Sequence, residues 1–474
     1  MHRKSIKTQD SAIVADVKEF PEAIPLKKIL GPSFVILALG LGSGEVILWP
    51  YLVSNYGLGI AWGAIVGITF QFFINMEIER YALVKGESVF VGIGRLVRWA
   101  PYWFIVSTFI GFGLPGIVAA SAQVLTALIG VEQYRWAAAL LLVVIGVILS
   151  SGKTVYDRME ALTKTILLIG VPFIFALAVV LSTPSTWAAL VGGVVGRGEG
   201  FWFLPPGVAL ATFMAAFAYS GAGGNLNLTQ SIYIKEKGYG MGQYSQKIAG
   251  LVRGGQQQSI RLHGHQFEEN AISIARFRRW WKVINHEHAI VFLAIGAFSM
   301  LLLMVLAYST AFGATGNAQG IRFVLTEGQI IGNRLSPIVG ILFLVAVSVM
   351  LFQTQLGVMD STSRIMAENV AIHALRRKNG TTVHLSKLYS FFVWAQIVFG
   401  ILLFTFNIYE PKSLIVLGAV LNAIAMTVHI ALVSWLNHKA LSRAFQPSRV
   451  RKTIIAIIFL FFSFFSGFVL WNTL

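Results

Sequence analysis

The sequence predicts an all-α polytopic membrane protein in which two inverted repeats of five transmembrane helices are followed by an eleventh helix. The first supporting observation is composition: 56% of the 474 residues are hydrophobic and 12% are charged, against roughly 25% charged in soluble proteins. So few polar residues cannot cover the surfaces of soluble domains of this total length. Soluble enzymes and disordered proteins are therefore excluded. The absence of cysteine excludes a disulfide framework and a thiolate metal site.

The second observation is a series of eleven apolar runs, most of them close to the roughly 20 residues that a helix needs to cross a hydrocarbon core. In chain order, spans one to eleven cover residues 33–54, 58–78, 101–129, 136–151, 160–182, 207–232, 289–310, 336–359, 388–407, 412–436 and 453–472. The fourth span is the shortest.

The net charge of +17 would indicate a nucleic-acid partner in a soluble domain. In this chain the distribution of charge gives a different explanation. With the N-terminus placed inside, 32 of the 37 Lys and Arg residues fall in segments on the inner side, in agreement with the positive-inside rule. We therefore expect a cytoplasmic N-terminus, an external C-terminus and no nucleic-acid partner. We expect the protein to lie in the plasma membrane of a bacterium or archaeon.

These assignments divide the chain into three parts. We expect a cytoplasmic tail at 1–30, a core at 31–437 with repeats at about 31–182 and 207–437, and a basic loop with the eleventh helix at 438–474. The longest cytoplasmic connection is the basic loop 235–286. Its run from Arg276 to Trp281 is consistent with an interfacial helix that binds anionic membrane lipids, or with an ordinary basic loop.

The third observation is a pair of glycine-rich interruptions, one near the middle of span one and one near the middle of span six. The segments are Leu39-Gly40-Leu41-Gly42-Ser43-Gly44-Glu45 and Ser220-Gly221-Ala222-Gly223-Gly224-Asn225-Leu226-Asn227. Freed backbone groups are costly in hydrocarbon, so each break indicates either close helix packing or a binding site. Spans one and six open successive sets of five, and an odd number reverses the second set. Paired breaks in inverted repeats are typical of secondary transporters with a mid-membrane site.

Glu45 is the only one of the twenty acidic residues that we place at the middle of the membrane. A carboxylate there costs roughly 3 kcal/mol or more and is functional by default. No span carries a mid-membrane Lys or Arg to neutralise Glu45, which leaves a proton or a bound cation. His429, in span ten, is the only histidine that we place at mid-membrane. It is either a hydrogen-bonded packing residue or a proton carrier.

Several motifs resemble the Nramp family of divalent metal transporters, over about nine tenths of the chain. They are Gly31-Pro32-Ser33-Phe34 before span one, Glu79-Arg80-Tyr81 and Lys85-Gly86-Glu87 after span two, Tyr156 and Glu160 at the start of span five, and Asp360-Ser361-Thr362-Ser363 at the end of span eight. The resemblance implies the LeuT-like inverted-repeat fold, with helices one and six broken at the midplane. It also implies inward transport of Mn²⁺, Fe²⁺ or related ions, often with protons.

The metal-binding motifs of that family are altered in this sequence. The DPGN motif of span one falls on Gly42-Ser43-Gly44-Glu45, so the aspartate is lost and a glutamate stands at the asparagine position. The MPH motif of span six falls on Ala222-Gly223-Gly224, without the methionine or the histidine. Span three has no carboxylate where proton-coupled members tend to have one. The chain is therefore similar to the Nramp-related magnesium transporters, which also lack the methionine.

These losses predict an ion site with oxygen ligands only. We expect the site to comprise Glu45, Gly42, Ser43, Ala222, Gly223, Asn225 and Asn227, with Glu45, Asn225 and Asn227 as the metal ligands. Such ligands suit Mg²⁺ or Mn²⁺. We therefore expect a secondary transporter of a hard divalent cation, with no cofactor and no enzymatic activity. We also expect transport without obligatory proton movement, with His429 as the possible proton site.

Two alternatives stay open at this point. A transporter of the same fold could carry an organic or anionic solute, because the half-helix N-termini after Gly44 and Gly224 present N–H groups. An ionised Glu45 argues against an anion, since two negative charges would face each other in a low dielectric. The other alternative is a non-transporting sensor with a degenerate site, which the lack of a large soluble output domain disfavours.

Overall fold

The computed structural model describes residues 17–26, 29, 42, 44–150, 155–246, 264–377 and 383–473. Within these ranges the chain is mostly helical. The strands that the structure describes there are Val17–Lys18 and Gln266–Phe267, which pair in parallel. This short pairing joins the segment before span one to the loop before span seven.

The helices before residue 200 correspond to predicted spans one to five and their connections. They are α1 (Trp49–Tyr56), α2 (Ala61–Lys85), α3 (Val89–Leu96), α4 (Ala100–Phe112), α5 (Gly116–Leu128), α6 (Arg135–Ser150), α7 (Val155–Leu181) and α8 (Pro184–Val194). A π-helical turn at Gly44–Leu48 leads into α1, and a 3-10 turn at Leu58–Ile60 leads into α2. Proline lies in the first turn of α1, α4 and α8, where the missing N–H has no intrahelical partner to lose.

The helices after residue 200 correspond to spans six to eleven. They are α9 (Leu210–Ala218), α10 (Thr229–Lys237), α11 (Ala271–His288), α12 (Gly296–Thr310), α13 (Arg322–Arg334), α14 (Pro337–Arg377), α15 (Leu385–Thr405), α16 (Pro411–Ala440) and α17 (Arg449–Thr473). Span six is divided between α9 and α10, with a 3-10 turn at Gly224–Leu228 before α10. Helices α11 and α12 are joined without interruption by a π-helical segment, Ala289–Ile295.

Among the described residues, seven helices are long and apolar enough to cross a membrane, or eight if the bent pair α7 and α8 counts as one span. Helix α6 is apolar but shorter. Much of the outer surface is apolar, as a lipid-facing surface must be: Leu168 is 75% exposed and Phe406 is 71% exposed. The chain is an integral membrane protein. Residues 30–41, the first part of span one, lie outside the described ranges, so the total of eleven spans stays a prediction.

Helix α14 occupies the centre of one side of the bundle, where it packs against α4, α5, α13 and α15. Helix α16 packs against α9, α4 and α17. Because both long helices contact α4, they hold it beside the 3-10 turn that follows the break in span six, which α4 and α16 also contact. The break in span six is therefore packed against protein, which is the setting in which a membrane protein tolerates irregular backbone.

The largest difference from the predicted spans concerns span seven. The apolar run begins near residue 289, but the helix begins at Ala271 and extends to Thr310. Its polar first part is stabilised by the N-terminal segment: Arg276 donates to the Phe20 carbonyl at 2.8 Å and pairs with Glu19. Hydropathy alone could not detect this contact, since it depends on residues far away in the sequence.

The lipid-binding interpretation of the run Arg276 to Trp281 stays a prediction, but two of its side chains contact protein. The Arg276 guanidinium binds the N-terminal segment. The buried indole of Trp280 donates to the Pro21 carbonyl at 3.0 Å. The run is helical, but its side chains at these positions face protein. Phe20, between them, is buried among Phe267, Phe277 and Phe445.

Candidate functional site

The glycine-rich segments of spans one and six lie against each other. Gly44 starts the π-helical turn of span one, and a Cβ atom at this position would overlap the carbonyl oxygen of Tyr219 in span six. Only glycine permits so close an approach of the two backbones. One turn further along, the Trp49 indole donates to the Ser220 hydroxyl at 2.9 Å. The sequence therefore brings the two predicted site segments together.

The bend in span six is held by a glutamine from span two. Helix α9 ends at Ala218, and regular structure resumes at Gly224. The Gln71 amide nitrogen donates to the Ala218 carbonyl at 2.7 Å, and its oxygen accepts from the Gly223 N–H at 3.1 Å. Gly223 has a φ of 68°, a backbone conformation that residues with a Cβ atom rarely adopt. One side chain thus satisfies backbone groups on both sides of the bend.

Glu45 follows directly after this close approach and is fully buried, with 0% exposure. Neither carboxylate oxygen has a hydrogen-bond partner among the described residues. An ionised carboxyl in such surroundings requires neutralisation by a proton or a cation. Of its neighbours in the predicted site, Gly42 lies against the Thr354 side chain, and Ser43 lies outside the described residues.

The span-six members of the predicted site are also buried. Asn225 donates through Nδ2 to the hydroxyls of Ser107 at 2.8 Å and Thr108 at 3.0 Å, and its Oδ1 has no partner in the described chain. Asn227 has no hydrogen-bond partner there for either side-chain atom, although it is 0% exposed. Ala222 is 3% exposed. Unpaired buried amide oxygens are candidates for contact with a ligand.

His429 lies in α16 and is 0% exposed. Neither of its ring nitrogens has a hydrogen-bond partner in the part of the chain that the structure describes. No described atom therefore serves as the hydrogen-bond partner that the packing interpretation of His429 requires. The nearby polar residue of α16, Asn422, is bonded instead, donating to the Gly111 carbonyl at 3.0 Å and the Tyr219 hydroxyl at 2.8 Å.

Sequence reasoning used Glu79 only as part of a motif after span two, and it missed the polar face that Glu79 forms with Gln71 and Asn75. Gln71, Asn75 and Glu79 are spaced by four residues, so they lie on one side of α2, and all three are 0% exposed. This spacing in an otherwise apolar span was a signal that could have found them. Sequence reasoning also missed His288, which falls just before the predicted start of span seven. His288 is fully buried inside the long helix, with Nδ1 at 3.3 Å from Glu79 Oε1.

Among the described residues, no three His, Asp or Glu side chains lie close enough to hold a metal ion by themselves. A cation at the predicted site would therefore be bound by one carboxylate together with neutral oxygens. Such a donor set fits hard cations that keep part of their water shell. It fits softer transition metals less well, because they favour nitrogen and sulfur ligands.

Comparison with known proteins gives structural matches but no sequence match. No family model matches the chain, and no curated protein matches it. A crystal structure of the manganese transporter of Eremococcus coleocola matches with a TM-score of 0.69 at 13% identity, covering 96% of this chain and 89% of that one. The chain shares the fold of this transporter. The same transporter in complex with an aromatic bis-isothiourea substituted compound gives a TM-score of 0.68 at 13% identity, with the same coverage.

A third structure, MhsT in complex with L-phenylalanine, has a TM-score of 0.53 at 14% identity and covers 96% of this chain and 100% of that one. At such low identity these matches concern the fold. They confirm the all-helical, LeuT-like fold and the resemblance to Nramp-type transporters that the motifs predicted. The number of spans and the position of the breaks at mid-membrane stay predictions, as do the domain boundaries.

Proposed function

We propose that the protein is a secondary transporter, without enzymatic activity, that moves a hard divalent cation, Mg²⁺ or Mn²⁺, by alternating access. The ion would bind between the broken helices one and six at the middle of the membrane. The observation that carries this proposal is Glu45: a fully buried carboxylate whose two oxygens have no hydrogen-bond partner in the described residues. The fold shared with a manganese transporter supports transport rather than catalysis.

In this proposal Glu45 is the charged ligand, and Asn225 and Asn227 supply amide oxygens. Backbone carbonyls freed around Gly42 and Ala222 complete the site, with Ser43 and Gly223 beside them. Mg²⁺ dehydrates reluctantly and usually keeps several waters, so one carboxylate and several neutral oxygens suit a partly hydrated ion. The ligand set contains no sulfur, which favours Mg²⁺ and Mn²⁺ over softer metals.

Alternating access would proceed through the two repeats, in a frame of eleven helices with the N-terminus in the cytoplasm and the C-terminus outside. Glu45 is 0% exposed, so a path from Glu45 to either side of the membrane would have to open during the transport cycle. Opening requires that segments around the bends of spans one and six move apart on one side at a time. We place the protein in the plasma membrane of a bacterium or archaeon.

The second candidate is a transporter of the same fold for an organic solute, favoured by the match to MhsT, which was solved with L-phenylalanine. An ionised Glu45 would repel a solute carboxylate in a low dielectric. A zwitterionic amino acid would therefore require a protonated Glu45. The two candidates differ in the charge that must balance Glu45.

Uptake into proteoliposomes distinguishes them. The purified protein is reconstituted and offered Mg²⁺, Mn²⁺, Ca²⁺, Fe²⁺ and neutral amino acids in turn, with internal pH recorded. The cation proposal expects saturable Mg²⁺ or Mn²⁺ uptake that Glu45→Gln abolishes. Glu327→Gln is a matched control, since Glu327 is another buried carboxyl but lies in α13, outside the predicted site. Uptake of an amino acid without any divalent cation would refute the proposal.

A further inference from the structure

A carboxyl and an imidazole that are not part of the predicted ion site meet in the bundle interior. Glu79 of α2 and His288 at the end of α11 are both 0% exposed, and Nδ1 of the ring lies 3.3 Å from Oε1 of the carboxyl. The imidazole is enclosed by aromatic rings: it stacks on Phe292 with centroids 4.7 Å apart and lies 5.5 Å from the ring of Phe72. A carboxyl and an imidazole in such contact share protons readily.

Charged side chains from α2, α11 and α17 surround this pair. Glu287, next to His288, is 1% exposed and acts on Glu79 by repulsion. Arg451 of α17 attracts Glu79, but its guanidinium pairs with Glu77 at 3.2 Å. Arg80, the residue after Glu79 in α2, pairs with Glu77 at 2.8 Å. Two buried carboxyls that repel each other cannot both ionise without compensating charge.

The pair is connected to the inner half of span six. Gln230, in the first turn of α10, donates through Nε2 to the same Oε1 atom of Glu79. A hydrogen bond to an ionised carboxyl is roughly twice as strong as one to a neutral carboxyl. The protonation state of the pair therefore changes how firmly α10 is held to α2. Thr229, the residue before Gln230, is itself buried.

We propose that Glu79 and His288 form a proton-binding site whose occupancy controls how firmly the inner half of span six is attached to span two. When the pair gains a proton, Glu79 holds Gln230 less strongly and α10 is freer to move. The ligand is a proton rather than a metal cation, because the groups that contact Glu79 Oε1 are an amide NH₂ and an imidazole nitrogen. A hard cation requires about six oxygen ligands.

This proposal goes beyond the proposed cation transport and does not depend on it. The site is defined by proton binding alone, and it requires no metal ion to bind or to cross the membrane. Protonation can be measured in the absence of any metal, so failure of this site and failure of cation transport are distinguishable.

The first test measures protonation directly, by infrared difference spectroscopy of the full-length protein in liposomes during steps of pH. We expect a carboxylic-acid band that titrates in the native protein and is lost in Glu79→Gln. In His288→Gln its midpoint should move, because the neighbouring imidazole is gone. Glu327→Gln is the matched control, and it should remove only the part of the carboxylic-acid band that Glu327 contributes. An identical titration in the native protein and Glu79→Gln would refute the site, and so would a band change caused by Na⁺ at constant pH.

The second test measures the connection to span six. The chain contains no cysteine, so Thr229→Cys introduces a single thiol next to Gln230 without background labelling. We expect labelling by a membrane-impermeant maleimide to be about fivefold faster when the pair is protonated, as a weakened hydrogen bond to Glu79 implies; the rate of thiolate formation is calibrated on a model thiol. Gln230→Ala should abolish this pH dependence while the infrared band of Glu79 persists. A pH dependence that survives Gln230→Ala overturns the proposed connection.

Discussion

Replacement of Glu45 by glutamine tests the central feature of the site. The substitution keeps size and hydrogen-bonding capacity but removes the only negative charge that the sequence places at mid-membrane. Because neither Glu45 oxygen has a hydrogen-bond partner in the described structure, no bond between protein groups is lost. The change removes a buried charge. We therefore expect the metal-free variant to fold, with a yield equal to or above that of the native protein.

The expected loss of metal affinity can be estimated. Removing one charged partner from a buried pair costs about 3 kcal/mol, or about a hundredfold in Kd. At a metal concentration of about 100 Kd, binding stabilises the native protein by about 2.7 kcal/mol, and the same concentration stabilises the variant by about 0.4 kcal/mol. Thermal unfolding in detergent with and without Mg²⁺ or Mn²⁺ measures both. Equal metal-induced stabilisation in the native protein and the variant would show that Glu45 is not the ligand.

Three further predictions concern other residues. Asn225→Ala and Asn227→Ala should each weaken metal affinity by about tenfold or less, measured by uptake, since a neutral amide is a weaker partner than a carboxylate. Internal pH should not follow metal uptake; acidification that tracks uptake and is abolished by His429→Ala would contradict this. Burial raises the pKa of Glu327, outside the spans, to about 8. The unfolded chain releases this proton near pH 4.5, whereas the folded protein keeps it until about pH 8. As pH rises from 4.5 through 8, the free energy of unfolding therefore falls, by about 5 kcal/mol at most. Glu327→Gln should flatten that dependence in thermal unfolding.

The apolar runs predicted those spans that behave as regular, lipid-exposed helices. The tenth run, 412–436, lies within helix Pro411–Ala440, and the ninth, 388–407, differs from Leu385–Thr405 by only a few residues at each end. The method failed where a helix is stabilised by distant protein. The long helix of span seven extends through a basic stretch because Arg276 binds the N-terminal segment, and hydropathy carries no information about such a contact.

The sequence predicted which segments form the candidate site, but not which residues of other helices hold those segments in place. The glycine clusters identified the bend in span six and the close contact at Gly44, because few other residues allow backbones to approach so closely. Glu45 stood out as an isolated charge in an apolar run. The partner that holds the bend, Gln71, could not be assigned from sequence, since a single glutamine in a span has many possible neighbours. The contact between Glu79 and His288 was missed because both residues lie near predicted span ends, where polar side chains are common.

Hydrogen bonds join helix α2 to span six at two separate points, through Gln71 at the bend and between Glu79 and Gln230 further along the chain. Two attachments to one helix restrain both translation and rotation of span six relative to α2, so the bend and α2 are expected to move together. Separating them at the bend alone would break two hydrogen bonds, a net cost of about 2 kcal/mol. In the proposed transport cycle, an opening that preserves both hydrogen bonds of Gln71 must therefore move α10 by rotation about the bend.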